Sequence, residues 1–211
     1  PRGRLVNETQ TALVLALRFG IAPEKYRAQL AARLNENVIA HGYHMTTGFA
    51  GTPYLLFVLS ENGYHETAGK LLLNEEYPGW LYEVNLGATT VWERWNGIDT
   101  EGRLNDPGMN SFNHYAYGSV MEFVYRRIAG LDAAKAGFKA VRIAPRPVEG
   151  LDRVEASYES VSGKITAGYE RSGNVVRYFA HIPKGISGVF ELPGEGVVAD
   201  GCGDFSFERK I

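Results

Sequence analysis

The chain has 211 residues, of which 45% are hydrophobic and 22% are charged, a composition typical of one large globular domain or of a domain with a smaller companion. A formal net charge of −2 gives no electrostatic reason to expect nucleic acid or a membrane surface as a partner. The single cysteine, Cys202, excludes an internal disulfide and a cysteine-based metal cluster, and no cofactor is expected.

The first four residues, Pro1-Arg2-Gly3-Arg4, run directly into an apolar helical pattern, without an initiator methionine or the layout of a signal peptide. We therefore expect that the chain begins within a longer protein, and its compartment stays open. No apolar run approaches the roughly 18 residues of a transmembrane helix.

Helical periodicity dominates the sequence up to residue 145, and the predicted helices alternate in character. The second half of residues 7–19 and the whole of residues 52–59 are apolar on nearly every side. Residues 23–38 and 65–74 each carry one apolar face. Two further helices are predicted at residues 88–95 and 114–128.

This alternation is typical of antiparallel helix hairpins in an α/α toroid, because an inner helix touches neighbours on several sides and an outer helix on only one. A plain helical bundle fits the periodicity about equally well. Six helices would form half of a twelve-helix toroid and would leave one large apolar flank uncovered.

The pattern changes after Pro145. Short alternating segments rich in Val, Tyr, Phe and Ile are separated by turn dipeptides such as Ser162-Gly163, which predicts an antiparallel sheet or sandwich built from hairpins. The segments are residues 154–158, 164–169, 175–181 and 188–192. With the proline-stiffened linker at residues 144–147, the predicted domains are a helical part, 1–144, and a β-sandwich, 145–211.

The densest polar and aromatic stretch is GATTVWERWN, at residues 87–96. Its carboxylate, Glu93, lies between Trp92 and Trp95; indoles stack well on the C–H-rich faces of sugar rings, and a carboxylate between them is placed for acid–base chemistry. The same residues fit a helix capping box from Thr90 to Glu93, in which the carboxylate only satisfies a backbone N–H group. The spacing alone favours the capping interpretation by about two to one.

A second polar stretch, DPGMNSFNHYAY, covers residues 106–117. Asn110, Ser111 and Asn113 are candidates for the N-cap of the last helix, and His114 would then lie in its first turn. A lone histidine at the start of a helix is more often structural than functional.

A third stretch, HGYHMTTGFAG, covers residues 41–51 and opens a buried helix. Its His41-x-x-His44 pair could suggest a metal site. No third ligand lies nearby in the sequence, so no metal is expected.

Five ordered stretches resemble a known family: TQTALVLALRFG, HMTTGFAGTPYLL, LLLNEEYPGWLY, GATTVWERW and DPGMNSFNHYAYGSVMEFVYR. At this close spacing they are similar to the C-terminal half of the bacterial α-L-rhamnosidases, glycoside hydrolase family 78. The resemblance is strong over residues 7–145 and looser over the β section. It implies an α+β multidomain fold, in which half of an (α/α)6 barrel of about six helices is followed by a small antiparallel β-sandwich.

The resemblance also implies roles for individual residues. The general-base glutamate of the family lies in the motif that matches GATTVWERW, which implies that Glu93 is a general base. The histidine of the NSFNHY motif lies in the family's sugar pocket, so His114 is a candidate for binding rhamnose. Trp92, Trp95 and Asn110 are further candidates for substrate binding, the tryptophans as walls or supports of the pocket.

The family's general acid belongs to an Arg-Asp-Glu-Arg motif upstream of the matched region, and this sequence contains no such motif. An inverting glycosidase needs two carboxyl groups on opposite sides of the scissile bond. Glu75, Glu76 and Glu83 have the right chemistry, but nothing in the sequence indicates that any of them is the acid. The expected activity is inverting hydrolysis of terminal α-L-rhamnosides, with this chain supplying the base and lacking the acid half.

The expected partners are a rhamnose-containing glycoside and, for the uncovered flank, the missing N-terminal half of the barrel or a second copy of the chain. An alternative is a non-catalytic remnant that acts as a carbohydrate-binding or assembly module and needs a partner chain. A related barrel enzyme for another sugar, such as a glucuronyl hydrolase or a lyase, is disfavoured by the GATTVWERW and NSFNHYAYG motifs.

Overall fold

The computed structural model describes residues 5–105, 108 and 110–210. Residues 1–4, and residues 106, 107 and 109 of the second polar stretch, therefore lie outside the described residues. The chain forms two compact units, which are divided after Val120.

The first unit is helical. Its helices are α1 (Gln10–Arg18), α2 (Arg27–Ala40), α3 (Thr52–Glu61), α4 (His65–Leu72), α5 (Trp80–Asn85) and α6 (Tyr115–Gly118), with a 3-10 turn (Glu24–Tyr26) before α2. A last helix, α7 (Val120–Phe123), begins at the division, and the second unit continues it as a π-helix (Val124–Ile128). No helix in the described part of the chain is long and apolar enough to cross a membrane.

The alternation of buried and one-sided helices is confirmed. Every residue of α3 from Leu55 to Ser60 is buried, whereas α2 buries one stripe that includes Leu30 and Leu34. Helix α3 packs against α1 and α4, and α1 also packs against α2. A helix enclosed by neighbours needs apolar side chains all round, and burying each large one contributes about 1.5–3 kcal/mol.

One helix prediction is wrong, and a second is confirmed in extent but not in continuity. Residues 88–95 form no helix; the helix of this region is α5, which ends just before Gly87, a residue with φ of +86°. The predicted helix 114–128 begins at Tyr115 and is divided into shorter pieces. The N–H groups of Trp92 and Glu93 find partners elsewhere in the unit, so that they do not need a helix to satisfy them.

A buried glutamine ties α1 to the third polar stretch. Gln10 is fully buried; its amide nitrogen donates to the His44 carbonyl at 3.1 Å, and its amide oxygen accepts the Thr46 N–H at 2.8 Å. Thr9 caps the same helix by accepting the Ala12 N–H at 3.2 Å. The first turn of α1 therefore fixes the segment at residues 44–46, which leads toward α3.

The second unit holds two four-stranded sheets. Its strands are β1 (Leu131–Lys135), β2 (Ala140–Ile143), β3 (Arg153–Ser160), β4 (Gly163–Ser172), β5 (Val175–Ile182), β6 (Ser187–Leu192), β7 (Gly196–Asp200) and β8 (Gly203–Lys210). One sheet has the order β1-β2-β6-β7 and the other β3-β4-β5-β8. Neighbouring strands are antiparallel except for β2 and β6, which are parallel.

The strands begin earlier than the sequence pattern indicates. Strands β1 and β2 precede the boundary predicted at residue 145, and β7 and β8 follow the last predicted segment. Strand β1 buries only Leu131, and no residue of β7 is buried. Neither strand therefore shows the period-two apolar pattern by which a half-buried strand is recognised.

The two sheets pack face to face. Every second residue of β5 from Val176 to Ile182 is buried. Phe190 of β6 is fully buried and meets Phe207 of β8 edge-on, with 5.2 Å between ring centroids. Because these rings come from different sheets, the unit is a sandwich with its apolar core between them.

Gly130, directly before β1, tests how tightly the backbone is packed at the start of the first sheet. Its φ is +77°, and a Cβ atom there would lie 2.1 Å from the backbone nitrogen of Pro145. We expect Gly130→Ala to lower the free energy of unfolding by more than about 3 kcal/mol, because the substitution combines backbone strain with a clash against backbone. Chemical denaturation of variant and parent measures the difference.

Gly194 provides the matched control. Its φ is +78°, and no described atom lies within 4 Å of an added Cβ atom. Gly194→Ala should cost only about 1 kcal/mol, from backbone strain alone. Equal losses of unfolding free energy in the two variants would show that close contact with Pro145 is not the reason why position 130 requires glycine.

Candidate active site

The first two polar stretches lie side by side in the helical unit. The Glu93 N–H donates to the Ser111 carbonyl at 2.8 Å, and the His114 N–H donates to the Val91 carbonyl at 2.9 Å. Residue numbers rise on one segment as they fall on the other, as in a short antiparallel ladder. The pairing brings together the two residues that the sequence singles out, Glu93 and His114.

The Glu93 carboxylate is held from the neighbouring segment. Its Oε2 accepts the Ser111 N–H at 3.0 Å, while Oε1 has no hydrogen-bond partner within the described residues, and the side chain is partly exposed. No helix begins at Thr90, whose hydroxyl donates to the Phe112 carbonyl instead, so the capping-box interpretation is wrong. With one oxygen fixed, the other is available to accept a proton.

His114 caps α6, a position that the sequence assigned to Asn110, Ser111 or Asn113. Its Nδ1 accepts the Ala116 N–H at 3.3 Å, and its backbone is extended. A neutral imidazole whose Nδ1 accepts must carry its proton on Nε2. The side chain therefore presents Nε2–H as a hydrogen-bond donor.

Two aromatic rings fix the plane of the imidazole. Phe49 stacks on His114 with ring centroids 4.8 Å apart, and Tyr115 stacks on it at 5.3 Å. Phe49 is 43% exposed and belongs to the third polar stretch, which Gln10 holds in place. Sequence reasoning missed Phe49, because a single phenylalanine between small residues has no periodic signal.

Both tryptophans of the central motif are buried. Trp92 is 3% exposed and meets Phe112 edge-on at 5.4 Å; Trp95 is 6% exposed and stacks on Tyr117 at 3.9 Å. Such indoles offer little surface to a sugar ring. Of the two roles expected from the sequence, wall or support, their burial favours support of the loop.

Asn110 holds the far end of the same loop. Its amide nitrogen donates to the Gly97 carbonyl at 2.8 Å, while its buried Oδ1 has no partner among the described residues. A Cβ atom on Gly97 would lie 2.7 Å from that oxygen, so the glycine makes room for the amide.

The histidine pair of the third stretch makes contacts within the protein. Nδ1 of His41 contacts the Asn37 carbonyl at 2.7 Å, and Nδ1 of His44 contacts the His41 carbonyl at 2.9 Å. Across the described ranges, no group of three or more His, Cys, Asp or Glu residues is placed to hold a metal ion.

Family models match nearly the whole chain. Residues 1–128 match the bacterial α-L-rhamnosidase 6 hairpin glycosidase domain, and residues 130–200 match the bacterial α-L-rhamnosidase C-terminal domain. The chain belongs to the bacterial α-L-rhamnosidase family. The resemblance seen in the five motifs is thereby confirmed, as is the succession of a half-barrel and a β domain.

Curated relatives agree with this assignment. An α-L-rhamnosidase of Streptomyces avermitilis is 41% identical over 175 residues, which cover 82% of this chain and 17% of the relative. An α-L-rhamnosidase of Formosa agariphila is 38% identical over 188 residues, which cover 89% of this chain and 20% of the relative. The chain thus spans about a fifth of the length of these relatives.

Solved rhamnosidase structures have the same fold. The crystal structure of the Streptomyces avermitilis α-L-rhamnosidase complexed with L-rhamnose matches with a TM-score of 0.90 and 34% identity, covering 96% of this chain and 22% of that one. The native enzyme from Aspergillus terreus matches with a TM-score of 0.93 and 32% identity, covering 98% of this chain and 24% of that one.

This family member also buries a carboxyl group behind the site loop. Glu83 of α5 is 2% exposed; its Oε2 accepts the Trp92 N–H at 3.2 Å, and its buried Oε1 has no hydrogen-bond partner in the described part of the chain. Burial raises the pKa of Glu83 to about 7, and the Trp92 N–H opposes that rise only in part. One signal in the sequence was the three-residue spacing from Trp80, which puts both side chains on one face of the helix.

The raised pKa makes the stability of the chain depend on pH. The folded state binds the Glu83 proton more tightly than the unfolded state, whose carboxyl pKa is 4.5. The contribution of this bound proton to the free energy of unfolding is therefore fully present below pH 4.5 and is lost as pH rises through about 7. The total loss is at most about 3 kcal/mol. Glu83→Gln carries no charge and should remove this decline, so its stability relative to the parent should grow from about pH 5 to about pH 8.

Urea denaturation across this pH range measures the difference. Glu66→Gln is the control, because Glu66 is exposed and pairs with Lys70 at 2.6 Å, which lowers its pKa. The control should show no gain above about pH 5. A Glu83→Gln curve parallel to the parent at every pH would mean that Glu83 titrates normally.

Proposed function

We propose that this chain contributes the general base, Glu93, to inverting hydrolysis of terminal α-L-rhamnosides, in an enzyme whose general acid lies outside the chain. The observation that carries the proposal is the position of the Glu93 carboxylate, which the Ser111 amide holds beside the His114 segment. Membership of the α-L-rhamnosidase family supports the substrate class.

In the proposed reaction, Glu93 removes a proton from a water molecule as that water attacks the anomeric carbon. The bond to the leaving oxygen breaks on the opposite face of the sugar, and the acid from outside the chain protonates that oxygen. An inverting enzyme separates the two carboxyl groups by about 6.5–9.5 Å to admit the water. The hydrogen bond from Ser111 to Oε2 fixes the carboxylate in one direction while Oε1 takes the proton.

The proposed sugar-binding residue is His114. Its Nε2–H donates to a hydroxyl of rhamnose, and Phe49 and Tyr115 hold the ring in plane. Trp92, Trp95 and Asn110 support the loop that carries Glu93, the tryptophans through their buried rings and Asn110 through its hydrogen bond to Gly97. The presence of L-rhamnose in the complex of the Streptomyces avermitilis relative supports a rhamnose pocket in this family.

Glu93→Gln tests the role of the base. In the enzyme assembled from this chain and an N-terminal barrel half that bears the acid, kcat for an aryl α-L-rhamnoside should fall by about 100-fold to 10,000-fold. Folding should be unaffected, because the amide oxygen of the substituted side chain still accepts the Ser111 N–H. Glu66→Gln, on the exposed face of α4, serves as the control. Near-parental turnover in E93Q would reject the assignment.

The helical unit also exposes large apolar side chains, among them Phe19, Ile21 and Val84. We propose that the N-terminal half of the barrel covers part of this surface, since the chain spans about a fifth of its relatives. The chain alone should then self-associate, and size-exclusion chromatography should show a species larger than 23.3 kDa. Co-expression with the barrel half should replace it with a one-to-one complex. A stable monomer of the chain alone would argue against this picture.

A further inference from the structure

We propose that Glu83 is a positioning residue for both Glu93 and His114, and that it holds the site loop in its protonated form. The effect of Glu83 on catalysis rests on the proposed function, in which Glu93 is the general base. Glu83 itself touches no substrate in the proposed reaction.

One peptide group, the one that joins Val91 to Trp92, is bound on both edges. Its C=O accepts the His114 N–H at 2.9 Å, and its N–H donates to Oε2 of Glu83 at 3.2 Å. The C=O and N–H of a trans peptide point in opposite directions. Glu83 and His114 therefore hydrogen-bond to opposite edges of the same rigid peptide plane.

The next peptide group leads to Glu93. Its N–H donates to the Ser111 carbonyl at 2.8 Å, and the side chain of Glu93 then accepts the Ser111 N–H at 3.0 Å. A tilt of the Val91–Trp92 plane moves the Cα atom of Trp92, and with it the peptide that sets the direction of Glu93. Glu83 is thus one peptide group away from the proposed base.

The surroundings of Glu83 suit a neutral carboxyl group. Its buried Oε1 has no hydrogen-bond partner among the residues that the structure describes, and a buried charge with one amide donor is costly. The titratable group that faces it from α6 is Tyr117, whose pKa is raised first by burial and then by the charges of Glu83 and Tyr77. Neither tyrosine donates a hydrogen bond to Glu83 within the described residues.

Loss of the proton should therefore loosen the loop. Ionisation strengthens the single hydrogen bond from the Trp92 N–H, but desolvation of the buried charge is the larger effect. The carboxylate therefore gains free energy by moving toward water, and that movement draws Oε2 away from the Trp92 N–H. The Val91–Trp92 plane would then keep only the hydrogen bond from His114. The segment that carries Glu93, and the His114 segment paired with it, would then be held less firmly at the pH at which Glu83 ionises.

Nuclear magnetic resonance of the whole chain tests the link directly. With glutamate labelled at the δ-carbon and backbone amides labelled with nitrogen-15, spectra are recorded from about pH 5 to about pH 9. The Glu83 carboxyl should titrate at about pH 7, and the amide signals of Trp92, Glu93 and His114 should shift with the same midpoint. In Glu83→Gln these shifts should be absent, and in Glu66→Gln they should be unchanged.

Two outcomes would overturn the proposal. One is a Glu83 carboxyl that titrates at its ordinary value of 4.5. The other is a raised midpoint for the carboxyl while the three amide signals stay constant. Because the parent titration needs no variant, a poorly folded Glu83→Gln would leave the test intact.

Kinetics of the assembled enzyme separate this proposal from the proposed function. Glu83→Gln should keep the parental kcat at about pH 5.5 and should retain at about pH 8 the turnover that the parent loses above about pH 7. If Glu93→Gln is inactive but Glu83→Gln has the parental pH profile, the positioning role alone is rejected. If Glu93→Gln turns over at the parental rate, the catalytic proposal fails, while the titration still decides whether Glu83 holds the loop.

Discussion

The peptide group between Val91 and Trp92 is the point on which the candidate site depends. A histidine amide holds its carbonyl, a buried carboxyl group holds its N–H, and the residue after it is Glu93. The loop around it is irregular, so helix hydrogen bonds cannot fix it. Side chains fix the loop instead: Asn110 hydrogen-bonds one end of it, and the buried rings of Trp92 and Trp95 anchor it to the core. An irregular loop can be as well defined as a helix when each of its peptide groups has a partner.

Much of the fold could be predicted because it follows from burial. Helices with neighbours on all sides, such as α3, need apolar residues at every position, and strands such as β5 need them at every second one. The errors occur where burial gives no pattern. Strand β7 has no buried residue, and residues 88–95 contain apolar side chains without a helical or strand period. There, long-range pairing decided the conformation, and a local pattern cannot reveal it.

The candidate site was predicted in part. The motif resemblance pointed to Glu93 and His114, and the structure places them on paired segments. Their supporting residues were missed or misjudged for a common reason. Phe49 comes from a distant segment, Trp92 and Trp95 face inward, and the partner of Glu83 lies nine residues further along the chain. A local motif identifies residues that could be catalytic, whereas the residues that support them are set by tertiary contacts between distant segments.

The buried amide of Gln10 has a consequence for how this family member can vary. It fixes the segment at residues 44–46, which ends three residues before Phe49, the ring that stacks on His114. A change at position 10 can therefore reach the imidazole without touching it. Selection for restored function after such a change should therefore yield compensating substitutions within residues 44–46.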